Sequence, residues 1–368
     1  MSRSTLDVVD PTGFGNLKYN SVQFLRFVAV IAVLVFHSHW AVKQKLINVP
    51  ILTDYGWIGV ILFFAVSGFI ISERISLERS LGRFLFRRYM RVFPLYGLFT
   101  LLAIVLSLGF GWDHLGHERT DSGRAFNPNP VFYYYIKSLF IVPQDAWPAF
   151  MVGWSLEYEV VFYLTFGVAY FNGGRKLALF IVLTLALLGG ALPNRFGPFF
   201  DYNFYYFLSG CIAREVLCYE SRFMFSRSSL ICLVTSILWI SHLSGVFDIT
   251  VFGFLITSAV SFGALIIACV SLEKSKTAFL HANAFTVIGD MSFSLYLFHW
   301  LVVSVCLFIT GDTVFSAVGA EFIRIAAIVV SLAGSWAVWT YLEKPINRAV
   351  HKSRLLNQNS ATSTRKLF

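Results

Sequence analysis

The sequence predicts an all-α, polytopic integral membrane protein, and three observations carry that prediction. Charged residues make up 13% of the chain and hydrophobic residues 57%, where a soluble globular domain carries about 25% charged residues. Apolar stretches of about the length a helix needs to cross a bilayer recur from one end to the other. The basic residues gather in alternate connections between those stretches, the pattern of positive-inside topology.

Residues 1–21 are polar, contain Pro11, Gly13 and Gly15, and are expected to form a cytoplasmic tail. The first apolar stretch, Gln23 to Ala41 (QFLRFVAVIAVLVFHSHWA), is long enough to span. No cleavage site of small residues follows it, so it is expected to remain as a helix. Further apolar stretches lie at about 56–73, 92–110, 150–171, 176–193, 201–217, 228–243, 249–271, 288–309 and 321–341. Together these predict about ten transmembrane helices with both termini cytoplasmic. In that arrangement twenty-one of the 29 Lys and Arg residues fall in inside segments and six in outside ones. The domain expectation is therefore a cytoplasmic tail over 1–21, a transmembrane domain over 22–342, and a basic cytoplasmic tail over 343–368.

The same bookkeeping assigns the +9 net charge to topology, and no nucleic-acid partner is expected. The longest outside segment, about 111–149, contains the short Tyr-rich run Val131–Val142. A crossing there would invert everything downstream and erase the charge bias, so an interfacial or re-entrant piece is expected. The five cysteines, Cys211, Cys218, Cys232, Cys269 and Cys306, sit in or beside apolar segments without Cys-x-x-Cys or Cys/His ligand spacing. Neither a disulfide framework nor a metal site is expected from them.

Candidate chemistry begins in the first helix. Arg26 and His37 are eleven residues apart, which places them on nearly one helical face and about 16 Å apart along the axis. Ionisable groups inside a span are costly and mark function unless they only snorkel to the headgroups or bond a neighbouring helix. After the second span, Glu73 to Tyr96 carries Arg74, Arg79, Arg83, Arg87, Arg88 and Arg91. Guanidinium forks bind phosphate bidentately, although such a cluster also serves plain anchoring to anionic lipid. The fourth span opens on GWSLEYEVVFYL. Glu157 and Glu159 lie two apart and cannot share a face, so one is expected to face outward and the other to enter the bundle. In the ninth span Ser292, Tyr296 and His299 follow i, i+4, i+7 spacing, a polar stripe that either glues helices or, with His37, lines a cavity.

Taken together these stretches resemble acyltransferase family 3, the integral-membrane acyltransferases that modify cell-surface polysaccharides. The likeness runs from Leu25 to Pro345. Its pieces are Arg26-x10-His37; FFAVSGF with Phe63, Phe64, Ser67, Gly68 and Phe69; Arg88-x-x-Arg91-x-x-Pro94; Trp154, Ser155, Leu156, Glu159, Phe162 and Tyr163; Ser292, Ser294, Tyr296, Leu297 and His299; and the closing Glu343, Lys344 and Pro345. Trp300 and Leu301 stand where many members carry a proline nearby. Between the two neighbouring carboxylates, the resemblance selects Glu159.

The resemblance implies a cytosolic acyl-CoA donor, most often acetyl-CoA, as co-substrate, no permanently bound cofactor, and a sugar hydroxyl on a surface or lipid-linked glycan as acceptor. It implies a multi-pass protein of the inner membrane with membrane lipid around it. In that scheme Arg26, Arg88 and Arg91 hold the donor's phosphates, and neutral His37 takes the proton of the attacking hydroxyl. Glu159 orients the imidazole or steadies the imidazolium, and Ser67, Trp154, Ser155, Tyr163, Ser292, Tyr296 and His299 line the cavity. An acyl-histidine intermediate is a variant of the same chemistry. The alternative is a transporter or flippase for a polar lipid or glycan, which uses the same intramembrane charges. Inverted repeats would favour it, and the sequence shows none.

Overall fold

A computed structural model describes residues 19–42, 55–110, 131–144, 147–191, 201–218, 224–243, 251–274, 283–311 and 313–349. Among them every regular element is helical, as a chain buried in hydrocarbon requires if its backbone is to satisfy its own hydrogen bonds. In order these are α1 (Asn20–Ser38), α2 (Ile58–Arg74), α3 (Leu81–Phe110), α4 (Val131–Leu139), α5 (Trp154–Ala191) and α6 (Phe204–Cys218). Then follow α7 (Met224–Leu243), α8 (Val251–Lys274), α9 (Asn283–Asp290), α10 (Ser292–Thr310) and α11 (Ala317–Val338). Among the described residues, seven helices are long and apolar enough to cross a membrane.

Helix α5 contains two of the expected spans in one 38-residue element, about 57 Å if straight, against a hydrocarbon core of about 30 Å. It is not straight. Gly173 and Gly174 depart from helical geometry, Gly174 with φ 72° and ψ −168°, a conformation open essentially to glycine alone. The break falls between the apolar stretches at about 150–171 and 176–193.

Helix α3 begins about ten residues before the apolar stretch expected at 92–110, so the basic stretch before it is helix rather than connection. Its early start has a packing reason: Phe84 is fully buried, with its ring and Leu81 packed against Gly167 of α5. Arg88 and Arg91 thereby sit on a rigid element, and Pro94 lies inside the helix rather than at its end.

Helix α1 stands at the centre, packed against α2, α8, α9 and α10. Its N-terminus is held by Glu273 of α8, which accepts the backbone N–H groups of Asn20 (2.7 Å) and Ser21 (2.9 Å) and the Ser21 hydroxyl (2.6 Å). A carboxylate there satisfies otherwise unpaired donors and complements the helix dipole. Helices α2 and α6 pack backbone to backbone. A Cβ at Gly68 would collide with the Phe207 backbone, and one at Gly210 with Ala65 and Phe69. Small residues permit such close approach, which drives helix association in lipid. Phe207 stacks on both Phe64 (4.7 Å) and Phe162 (4.3 Å), tying α6 to α2 and α5. Helix α11 passes through a π turn, Trp339–Glu343, and stays helical to residue 349.

Candidate active site

A cavity opens between α1, α2, α3, α5 and α10. Three arginines meet there: Arg26 from α1 with Arg88 and Arg91 from α3. The Arg26 guanidinium donates to Gln23 Oε1 at 3.2 Å. Arg88 lies over the rings of Phe84 and Tyr163, 5.7 and 5.8 Å from their centroids, a cation–π contact that holds the side chain without neutralising it. Among the described residues none of the three makes a salt bridge. Arginines nearby do: Arg87 with Glu78 (2.5 Å), Arg214 with Glu73 (2.7 Å) and Arg175 with Glu215 (3.1 Å). Among the described residues, Arg91 opposes the charge of Arg26 while Glu343, Asp290 and Glu159 favour it.

Glu159 faces the cavity from α5, and its Oε1 accepts both the Ser67 hydroxyl (2.7 Å) and the Tyr163 hydroxyl. Glu157 is 1% exposed, so neither carboxylate of the pair faces outward. The first turn of α5 is covered by its neighbours, which turns both faces of the glutamate pair into protein. The sequence scheme has Glu159 orienting His37; the side chains make a different contact.

Ser155, Ser292 and Tyr296 also line the cavity. The Tyr296 hydroxyl donates to the Val152 carbonyl at 2.9 Å and meets Ser155 Oγ at 2.7 Å. Next to it, the Tyr296 ring lies 5.8 Å from that of His299. His299 is fully buried; its Nδ1 is 2.9 Å from the Leu295 carbonyl oxygen and its Nε2 is 2.9 Å from His37 Nδ1. The His37 and His299 rings are 5.1 Å apart and 21° from coplanar. Trp40 and Trp300 stand edge-on against His37 at 5.1 and 5.3 Å.

Of the residues singled out in sequence, Arg26, Ser67, Arg88, Arg91, Ser155, Glu159, Tyr163, Ser292 and Tyr296 line the cavity. His37 and His299 form a bonded pair beyond Tyr296 rather than part of its wall. Trp154 packs instead with Phe64, Trp147 and Tyr158, because the opening of α5 turns its ring into that aromatic group. Sequence reasoning missed Glu343 as part of this region. The π turn brings its carboxylate to accept the Ser294 hydroxyl. The closing Glu-Lys-Pro was the available signal.

Comparison with known proteins identifies the family. Residues 19–340 match a family described as an acyltransferase domain. The peptidoglycan O-acetyltransferase OatA of Listeria monocytogenes is 24% identical over 316 residues, 77% of this chain and 49% of that protein. The exopolysaccharide production protein ExoZ of Rhizobium meliloti is 26% identical over 314 residues, 80% of this chain and 90% of that protein. An O-acetyl transferase of Shigella phage Sf6 is 27% identical over 194 residues, 48% of this chain and 55% of that protein. The chain thus spans about half the length of the first and third of these relatives. No solved structure matches it.

Proposed function

The chain belongs to the acyltransferase family whose domain it carries over residues 19–340, and on that premise we propose that it moves an acyl group, acetyl foremost, from cytosolic acyl-CoA to a sugar hydroxyl of a surface or lipid-linked glycan. The observation that carries the donor side is the cavity in which three guanidinium groups converge against one lining carboxylate, Glu159. Such a site is built for a polyanion, because forked N–H groups in a low-dielectric setting bind phosphate strongly. Arg26, Arg88 and Arg91 bind the donor's phosphates. The acyl arm extends past Ser292 and Tyr296 towards His37, along the roughly 16 Å of helix rise that separates Arg26 from His37.

At that end the glycan hydroxyl attacks the thioester carbonyl. Its proton passes to His37, a C–O bond forms, the C–S bond breaks, and the proton leaves with the coenzyme thiol. Ester and thiol are the only products. Donor supply from the cytosol and an acceptor met from the other side agree with ten spans, both termini cytoplasmic, in the inner membrane. Membership of a transferase family leaves the transporter reading without support. Mass spectrometry of surface and lipid-linked glycans tests the proposal in cells with the native protein, without it, and with His37→Ala. An acyl mass increment seen only with the native protein is expected; identical glycans in all three would overturn it.

A further inference from the structure

Two buried imidazoles in direct contact constrain each other's protons. Leu295 offers His299 Nδ1 a carbonyl oxygen at 2.9 Å, and a carbonyl only accepts, so Nδ1 carries the hydrogen. A neutral imidazole has one N–H, which leaves His299 Nε2 bare and accepting. His37 Nδ1, 2.9 Å from that Nε2, therefore carries its own ring's hydrogen and donates. It follows that the lone pair of His37 sits on Nε2. A centroid separation of 5.1 Å with only 21° between the ring planes fits an edge-to-edge bond lying in the plane of both rings. His299 is fully buried and His37 is 7% exposed, with Trp300 and Trp40 against the latter ring, so water competes little for these bonds.

We propose that His299 is the positioning residue of acyl transfer: anchored on the Leu295 carbonyl, it holds His37 in the tautomer whose Nε2 is the base. This rests on the acyltransferase reading of His37. In hydrolase triads a carboxylate performs this task. Here a neutral imidazole backed by a helix carbonyl performs it, while Glu159 is engaged by Ser67 and Tyr163. When His37 Nε2 takes the acceptor's proton, the resulting imidazolium keeps its Nδ1–H on His299 Nε2. The proton then leaves from Nε2 to the departing thiolate, so the His299 ring neither gains nor loses a proton over the cycle and touches no substrate.

The test is nitrogen NMR of the full chain, labelled with ¹⁵N-histidine and held in lipid nanodiscs, with His37→Asn and His299→Gln spectra for assignment. The expected spectrum has protonated Nδ1 and bare Nε2 on both rings, with coupling across the His37–His299 bond. A proton on His37 Nε2, or an imidazolium at either ring, overturns the proposal whether or not transfer is observed. That keeps its failure separate from failure of the proposed activity. In kinetics, His299→Gln retains an acceptor for His37 Nδ1 and should keep most of kcat. His299→Leu removes it and should lower kcat towards the roughly 10⁴-fold cost of a wrong tautomer, with donor KM unchanged. Equal rates for the Gln and Leu variants would assign His299 a packing role only and refute the idea.

Discussion

Glu159→Gln separates the two roles open to this carboxylate. Both of its hydrogen-bond donors, Ser67 Oγ at 2.7 Å and the Tyr163 hydroxyl, meet the same oxygen, Oε1. A glutamine amide oxygen has two lone pairs and can accept both, so the substitution removes charge while keeping shape and partners. Hydrogen bonds to a charged acceptor contribute ~1.5–3 kcal/mol and neutral ones ~0.5–1.5 kcal/mol. The expected loss of stability is therefore about 2–3 kcal/mol for the two bonds together. Removing a negative charge from a wall shared with Arg26, Arg88 and Arg91 favours an anionic donor, so donor KM should stay level or fall. Because His37 is bonded to His299, kcat should change by no more than about tenfold, ~1.4 kcal/mol. The assay is initial-rate acyl transfer at varied donor concentration, beside thermal unfolding in detergent. A fall in kcat near the ~10⁴-fold produced when a triad carboxylate is neutralised, at constant donor KM, would refute the reasoning and return Glu159 to the base.

Other outcomes follow from the same geometry. Arg88→Lys and Arg91→Lys keep the charge but lose the fork; each should raise donor KM about tenfold or more, ~1.4 kcal/mol or above, with kcat retained, as donor titration would show. Gly68→Ala forces a Cβ onto the Phe207 backbone and should destabilise the bundle by about 1–3 kcal/mol, read as a lower unfolding temperature. At Gly174 a Cβ meets nothing within 4 Å but the residue sits at φ +72°. Its alanine variant should cost ~1–3 kcal/mol through backbone strain alone, a loss that trimming neighbouring side chains would not relieve. Ser294→Ala removes the hydroxyl that donates to Glu343 and should weaken donor binding through Arg26 more than it slows turnover, seen as a KM effect.

Composition and the recurrence of apolar stretches made the all-helical membrane fold legible, because a bilayer leaves the backbone few alternatives. The spacing of Arg26 and His37 likewise needed only helix geometry. Tertiary contact decided the rest. Nothing local tells that His299 would bond His37 rather than line the same wall, since the two are 262 positions apart. The side of α5 that Trp154 faces depends on Phe64 of α2 and on Trp147, which lies before the helix, and only Tyr158, four residues on in α5 itself, is a local neighbour. The early start of α3 was hidden because its arginines lower local hydropathy, while Phe84, whose burial against Gly167 holds that turn in place, is one apolar residue among many. Glu343 was masked by its position after the last apolar stretch, and only the π turn carries it back to Ser294.

In the proposed reaction an acyl group passes from a donor held by the arginine cavity to a glycan hydroxyl activated by His37. The most direct measurement reconstitutes the full chain in proteoliposomes with acetyl-CoA and an acceptor glycan, and follows free coenzyme thiol and acetylated glycan together. The native protein should produce both in equal amounts and only when acceptor is present. His37→Ala should still bind the donor yet produce neither above the uncatalysed rate. Acetylated glycan formed by His37→Ala at the native rate would contradict the account.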